Sequence, residues 1–201
     1  MMSLRTRLLF GPISALMFVL GTVGVALFLP GYSHIRQDVS EIGALGTPTR
    51  LAFAVVVCGV AACLAIFAWG LGGVARARGL SPFPAILIGF VVVSEIGIAT
   101  FATPDPLHEP FGLLSLIGYQ APGVLTLMWR RNPSLKRLAA VSWLCFLGLW
   151  AATALILAPG FLPSLAQRMA PIAGLTQRPL FVVWFGWCAY TGFSLRAQAG
   201  D

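Results

Sequence analysis

Six long apolar runs account for most of this 201-residue chain, and each is close to the length of about 20 residues that crosses a bilayer as a helix. Because no water reaches the backbone inside a bilayer, such segments span it as helices that satisfy their own hydrogen bonds. The composition agrees, since 58% of the residues are hydrophobic and only 9% are charged, whereas soluble domains carry roughly 25% charged residues. We predict spans at about 8–29, 51–75, 82–103, 111–129, 138–158 and 179–197.

These spans leave no room for a separate soluble domain, so residues 1–201 are expected to form one domain. The predicted fold is an all-α integral membrane protein, a bundle of six transmembrane helices. Three segments join the spans on the face that we call outer, at about 30–50, 104–110 and 159–178. In the third of them, Phe161, Leu165 and Met169 recur at helical spacing and predict a short helix in the membrane interface.

Basic residues are unevenly distributed between the two faces. Of 13 Lys and Arg residues, nine fall on the face of the N-terminus: Arg5, Arg7, Arg76, Arg78, Arg130, Arg131, Lys136, Arg137 and Arg196. Such an excess is typical of cytoplasmic loops, so both termini are predicted to be cytoplasmic. The net charge of +7 comes largely from these loops, and it therefore indicates contacts with anionic lipid rather than with nucleic acid.

Glu95 is an ionisable residue within the third apolar run, FPAILIGFVVVSEIGIATFA. A carboxylate at membrane depth is uncommon, and it marks either a working site or a polar contact between helices. Gln120 on the fourth run lies at a comparable depth, so the two side chains meet if their faces agree. Pro122 frees the carbonyl of Gly118 and predicts a kink beside Gln120. Two interpretations stay open: an acid that faces a cavity, and a structural Glu paired with Gln120, a Tyr or an Arg.

The turn TPDPLHEP follows the third run on the outer face. Asp105 is expected at the mouth of a pocket above Glu95, where His108 and a neighbouring carboxylate such as Glu109 could act as a general acid–base pair. The alternative is a solvated turn in which Asp105 satisfies backbone groups. With Glu41 of the first outer segment, the candidate catalytic residues are Glu95, Glu41, Asp105 and His108.

Arginine at an outer interface can bind the phosphate or carboxylate of a lipid headgroup through paired hydrogen bonds. Arg36 and Arg178 are placed for this role, and the alternative for both is an ion pair with Asp38 or Glu41. The candidate substrate-binding residues are Arg178, Gln177, Gln120, Arg36, Ser40 and Tyr119.

No metal site and no cofactor are predicted. The four cysteines lie within predicted spans and form no C-x-x-C pair, and the two histidines are on different loops. Catalytic zinc generally uses three protein ligands. The sequence also lacks a P-loop, a dinucleotide fingerprint and a G-x-S-x-G motif.

The three outer segments resemble a bacterial membrane family known as domain of unknown function 998. Its first outer loop is similar to PGYSHIRQDVSEIGALGTPTR, in which VSEIG at 39–43 is the core and Pro48 follows. Its second signature, an Asp after Pro followed by a His, is similar to TPDPLHEP, although the family spaces the His further from the Asp. Its last signature is similar to GLTQRPLFVVWFGW, where Gly174, Gln177 and Arg178 match.

The resemblance covers most of the chain and implies a six-helix architecture, distantly similar to DRAM/Frag-type membrane proteins. It also implies a place in the bacterial inner membrane. The family brings no established activity. By matching position, it carries over Glu41, Asp105 and Arg178 as site residues.

Three functions fit these features. The first is an enzyme that performs acid–base chemistry on a lipid-like or isoprenoid substrate. The second is an accessory protein, in which the polar cluster only holds the outer segments together while the helices bind a lipid, a partner membrane protein or another copy of the chain. The third is a proton-coupled transporter with Glu95 as the relay, which the lack of internal repeats disfavours.

Overall fold

The computed structural model describes residues 2–198, and within that range all regular structure is helical. The α-helices there are α1 (Leu4–Leu8), α2 (Phe10–Ala26), α3 (Arg50–Ala77), α4 (Phe83–Thr100), α5 (His108–Gly118), α6 (Ala121–Trp129), α7 (Lys136–Phe161), α8 (Pro163–Met169) and α9 (Ala173–Gln198). Short 3-10 helices cover Val39–Gly43, Pro133–Leu135 and Ala170–Ile172.

Each predicted span coincides with one or two of these helices. Five stretches are long and apolar enough to cross a membrane: Leu4–Ala26, Arg50–Ala77, Phe83–Thr100, His108–Trp129 and Pro133–Phe161. The sixth helix of comparable length, α9, is less apolar than the others. The prediction of an all-helical membrane protein is therefore confirmed, whereas the count of six spans stays a prediction.

The fourth predicted span is broken into α5 and α6 at Tyr119 and Gln120. Pro122 explains the break, because its ring removes the N–H that would bond the carbonyl of Gly118 and crowds that carbonyl. Gly118 itself packs closely on α4, since a Cβ there would lie 2.9 Å from the carbonyl oxygen of Leu87. The expected kink is thus observed, and it occurs where α5 is held tightly against its neighbour.

The long helices pack side by side into a closed ring. The helix α2 contacts α3 and α9, α4 contacts α3, α5 and α6, and α7 contacts α6 and α9. Large side chains fill the half of the ring that lies away from the outer face, where Phe67, Trp129 and Trp187 are completely or almost completely buried. The indole N–H of Trp187 donates to the Ser142 hydroxyl at 2.9 Å, and such hydrogen bonds between helices add to packing in an apolar surrounding.

The outside of the ring is apolar, as a lipid-facing surface would be. Leu16, Leu20 and Leu51 are among many large hydrophobic side chains that are more than half exposed. A soluble monomer rarely exposes contiguous apolar patches of this extent. The exterior therefore agrees with the membrane assignment that the apolar runs gave.

The third outer segment is more helical than its predicted boundaries of about 159–178 indicated. The helix α7 continues to Phe161 through Pro159, and α9 begins at Ala173, before Pro179. A short helix, α8, is present there and contains Leu165 and Met169, whereas Phe161 ends α7; the place of α8 in the membrane interface stays a prediction. The boundaries differ because Pro159 lies in the last turn of α7 and Pro179 in the second turn of α9, and each proline removes only one N–H from its helix.

Candidate functional site

A cavity of about 590 Å³ opens at the outer ends of the helices, between α4, α5, α7, α9 and the first outer segment. We call it the acidic cavity, because its charged and titratable lining residues include Asp38, Glu95, Asp105, His108 and Glu109. Uncharged polar residues such as Ser40, Thr153 and Gln177 also line it, and the rest of its walls are apolar and include Phe18, Phe53, Val57, Ile98, Leu113, Ile156, Leu157, Leu180 and Phe181. A pocket of this size, mostly apolar with a few polar groups, is typical of small-molecule sites.

Glu95 lies on α4, five residues before its last residue, Thr100, which places it about 7.5 Å below the end of the helix. It is 8% exposed and lines the acidic cavity. Among residues 2–198, no side chain or backbone group donates a hydrogen bond to its carboxylate. The neighbouring Ser94 hydroxyl donates instead to the carbonyl of Phe111 at 2.7 Å. The side chain of Glu95 is therefore buried, and its carboxylate faces the acidic cavity without a hydrogen-bond donor from the described protein.

Gln120 does not bond with Glu95. Its side-chain amide donates to the carbonyl of Leu116 at 2.8 Å, and it borders a separate small recess with Trp150. Tyr119, one position earlier, borders the same recess and also lines the acidic cavity, which Gln120 does not. One residue corresponds to about 100° of rotation around a helix, so only one of the two side chains reaches the acidic cavity where α5 ends.

Asp105 and His108 both line the acidic cavity, and each is also bonded to the backbone of the turn. A carboxylate oxygen of Asp105 accepts the N–H of Leu107 at 2.9 Å. His108 Nδ1 lies 2.8 Å from the carbonyl oxygen of Phe101, which can only accept, so Nδ1 carries the proton and Nε2 remains an acceptor in the neutral ring. Glu109 is exposed at the mouth of the cavity.

Glu41 is not among the residues that line the acidic cavity. Its Oε2 accepts from the side-chain amide of Gln37 and its Oε1 from the N–H of Asp38, both at 2.9 Å. A Glu that bonds backwards to the first residue of a helical turn stabilises the start of that turn. In this structure Glu41 therefore holds the 3-10 helix in place, and it is not brought together with Glu95.

The start of α9 is bonded to the first outer segment, and we call this joint the outer clasp (residues 32–43 with 174–178). The side-chain oxygen of Gln177 accepts the N–H of Val39 at 2.9 Å, and Gln177 also lines the acidic cavity. Gly174 permits the close approach, since a Cβ there would lie 2.1 Å from the carbonyl oxygen of Gln37. Ile42 is fully buried beneath the clasp, so the first outer segment is part of the packed bundle.

Arg178 is the centre of the outer clasp. Its Nη1 donates to the carbonyls of Gln37 and Gly174, and its Nη2 donates to the Tyr32 hydroxyl at 3.0 Å and to His34 Nδ1 at 2.9 Å. All four acceptors are uncharged. Within residues 2–198 no carboxylate forms a direct ion pair with this guanidinium.

Burial in the clasp shifts the pKa values of several side chains. Desolvation, with the charge of Arg178 as a smaller cause, lowers the pKa of His34. Desolvation raises the pKa of Asp38, and the negative charge of Glu41 adds to the effect while Arg178 opposes it. Desolvation also raises the pKa of Tyr32 against the opposing influence of Arg178. The clasp therefore favours neutral His34 and Tyr32 beside the positive charge of Arg178.

The remaining predicted binding residues divide between these surroundings. Ser40 lines the acidic cavity. Arg36 is exposed and lines neither of the two large cavities, so the structure does not bring it together with Arg178. The expected ion pairs of the two arginines with Asp38 or Glu41 are not formed as direct contacts among the described residues.

Comparison with known protein families identifies the family of this chain. Residues 12–194 match a family described as a protein of unknown function, DUF998. The chain belongs to this family. No curated protein and no solved structure matches it. The resemblance noted in the three outer segments is thereby confirmed over most of the length.

In this DUF998 protein, the first and last segments that carried the resemblance bind each other. Gly174, Gln177 and Arg178 contact the chain around Gln37 and Val39. The second segment joins them through the N–H of Leu45, which donates to the carbonyl of Thr103 at 2.8 Å. The three segments thus contact one another at the outer end of the bundle, and Asp38, Asp105 and Gln177 from them line the acidic cavity.

Sequence reasoning missed a second cavity in this DUF998 protein. A groove of about 310 Å³ runs between α2 and α9 and shares the wall residues Phe18, Val39 and Phe181 with the acidic cavity. We call it the lateral groove. His34 and Arg178 are its only titratable lining residues among those described. No motif predicts it, because the residues of α2 and α9 that form it are ordinary apolar residues far apart in sequence.

Proposed function

We propose that all six long helices of this DUF998 protein cross the bacterial inner membrane, with both termini in the cytoplasm. The length of α9, 26 residues, corresponds to about 39 Å, enough to cross a hydrocarbon core of about 30 Å. The excess of basic residues on the face of the termini supports this orientation. The acidic cavity then opens on the extracytoplasmic side.

In that position the acidic cavity would bind a lipid-like or isoprenoid molecule whose polar end lies against Glu95. Four carboxylates line the cavity, and no Lys or Arg does so among residues 2–198. Like charges close together in an apolar surrounding repel strongly. The favoured polar end is therefore uncharged or cationic, such as a hydroxyl or an amine, and a diphosphate is disfavoured. The apolar walls accommodate the tail.

The observation that carries this proposal is the unpartnered carboxylate of Glu95. A Glu that serves only to join helices is expected to bond across an interface, because an unsatisfied polar group in an apolar surrounding is costly. Glu95 is buried, borders an open cavity and has no hydrogen-bond donor among the described residues. A ligand hydroxyl or ammonium group, or solvent, would supply the missing donor.

Acid–base processing of the bound molecule is the chemistry that the cavity supports best. Glu95 would exchange a proton with the polar end of the substrate, and His108 would accept or donate a second proton at Nε2, since its Nδ1 is fixed by Phe101. Asp105 would hold the turn that carries His108. Such positioned groups accelerate proton transfer by typically 10²–10⁴-fold.

The test is identification by mass spectrometry of the molecules that co-purify with the wild type and with Glu95→Gln. A specific lipid or isoprenoid retained by the wild type and lost from the variant supports the proposal, and it names the substrate for an activity assay. Equal amounts of bulk lipid in both proteins would contradict it and favour an accessory role.

The accessory role is the second candidate, and the outer clasp favours it. Glu41, Gln177 and Arg178 are engaged in holding the first outer segment to α9, which is a structural task. The exposed apolar face of α7, including Leu144 and Trp150, offers a surface for lipid, for a partner membrane protein or for a second copy of the chain. A transporter is less well supported, because the acidic cavity is lined only from the outer part of the ring.

A further inference from the structure

We propose that the lateral groove binds an anionic phospholipid of the surrounding bilayer, with one acyl chain between α2 and α9 and the phosphate at Arg178 and His34. This site is separate from the acidic cavity and does not depend on the function proposed for it. The inference rests on the charge of the groove, on the donors at its outer end and on its apolar, lipid-facing flanks.

The outer end of the groove carries a positive charge without a direct counterion. Arg178 lines the groove, and its four Nη hydrogens are taken by neutral acceptors. Its Nε–H makes no hydrogen bond within the described residues. A guanidinium is suited to phosphate because its N–H groups lie in one plane around a delocalised charge.

His34 supplies a second donor at the same end. Its Nδ1 lies 2.9 Å from Nη2 of Arg178, which can only donate, so Nδ1 accepts and the proton of the neutral ring is on Nε2. Within residues 2–198 this Nε2–H has no partner. Arg178 and His34 thus offer two free N–H groups beside one positive charge, which matches the oxygens of a phosphate diester.

The rest of the groove fits an acyl chain. Its described lining below the two basic residues is almost wholly apolar, with Val19, Val23 and Val182 along its edges. These valines are also strongly exposed on the outside of the ring, Val182 at 70%. The groove is therefore continuous with the surface that faces lipid, and a chain can enter it from the bilayer. Basic pockets between membrane helices bind anionic headgroups on the cytoplasmic side of membranes, and the groove offers the same combination of a basic end and apolar walls at the outer face.

Gly186 allows a direct test, because it lines the groove and a Cβ there would meet no atom within 4 Å. Gly186→Leu would place its side chain in the groove, with a Cβ that contacts no other atom. Gly89 is the matched control, since it also lies within a helix, has equally open surroundings and lines neither cavity. A third variant, Arg178→Gln, removes the charge and leaves the groove open.

The full chain is delipidated, reconstituted with equal amounts of phosphatidylglycerol and phosphatidylcholine, and examined by native mass spectrometry for retained lipid. The wild type and Gly89→Leu are expected to retain phosphatidylglycerol selectively. Gly186→Leu is expected to retain at least about tenfold less, and Arg178→Gln to lose about fivefold of the selectivity, the factor expected for one basic residue.

Two results would overturn the inference. One is equal retention of phosphatidylglycerol by Gly186→Leu and Gly89→Leu, which would place the bound lipid elsewhere on the protein. The other is equal uptake of both lipids by the wild type, which would mean that the groove does not recognise a negative charge. Gly186→Leu leaves the clasp residues in place, so the first result stands even if Arg178→Gln fails to fold.

Discussion

The acidic cavity and the lateral groove lie on either side of the same three residues, Phe18, Val39 and Phe181, yet their charges are opposite. Carboxylates alone provide the full charges of the first, whereas a single guanidinium provides that of the second. The separation is made by the outer clasp, which turns Arg178 away from the cavity that its neighbour Gln177 lines. One short stretch of α9 thus serves two sites of different chemistry.

The largest expected effect comes from breaking the clasp that separates the two regions. Gly174→Ala places a Cβ 2.1 Å from the carbonyl oxygen of Gln37, and overpacking against backbone is expected to cost about 3 kcal/mol. Thermal unfolding in detergent measures this. Gly24→Ala is the control, since a Cβ there meets nothing within 4 Å and should stabilise α2 by up to about 1 kcal/mol. Equal melting temperatures for the two variants would show that the clasp is not held closed at Gly174.

Removing one charged group from each region tests whether the acidic cavity and the lateral groove bind their ligands independently. Glu95→Gln should remove the specific molecule retained by the acidic cavity and leave the selectivity for phosphatidylglycerol unchanged. Arg178→Gln should reduce that selectivity about fivefold and leave the molecule in the acidic cavity. Mass spectrometry of the retained molecules measures both. Loss of both ligands in either variant would mean that the two regions form one site.

Acid should weaken the clasp through His34. The pKa of His34 is lowered by burial and by Arg178, so the folded state binds fewer protons than the unfolded state just below pH 6.5, and stability falls as pH drops through that window. Protonated Nδ1 can no longer accept from Arg178. Asp38 has a raised pKa and acts in the opposite direction, but at lower pH.

The measurement is the change in melting temperature between pH 7.5 and pH 5.5. The wild type should lose a few degrees more than His34→Asn, because Asn offers an acceptor oxygen that does not titrate in this range. If the two proteins lose the same amount, the bond between His34 and Arg178 does not contribute to the stability of the clasp.

The smallest expected effect on stability is that of filling the acidic cavity. Gly112 lines the cavity, and a Cβ there would meet nothing within 4 Å. Gly112→Leu should raise the stability of α5 by up to about 1 kcal/mol through helix propensity while excluding the ligand. Thermal unfolding together with mass spectrometry distinguishes these effects. A destabilised variant would mean that the cavity closes on itself when it is empty.

The helices and the position of Glu95 could be predicted from the sequence because long apolar runs have few alternatives in a membrane. The break at Tyr119 could also be predicted from Pro122. Its effect on the directions of the neighbouring side chains could not. A break changes which residue faces the neighbour, so Tyr119 rather than Gln120 lines the acidic cavity.

The roles of the outer segments were harder to predict. Glu41 carries a carboxylate that could serve in catalysis. Its two oxygens accept hydrogen bonds from Gln37 and Asp38, and only the fold of the segment reveals these bonds. Gln37 and His34 were missed as contact residues because no pattern marks them. The lateral groove arises from the packing of α2 on α9, to which distant apolar residues contribute without a sequence signal.

We expect Glu95 to be reachable from the open acidic cavity and free to bind a ligand. Dicyclohexylcarbodiimide, an apolar reagent that modifies carboxylic acids in apolar surroundings, tests it when the modified residues are located by mass spectrometry. We expect modification of Glu95 in the wild type and in Gly89→Leu, and strong protection of Glu95 in Gly112→Leu. An unmodified Glu95 in the wild type, or equal modification in all three proteins, would contradict it.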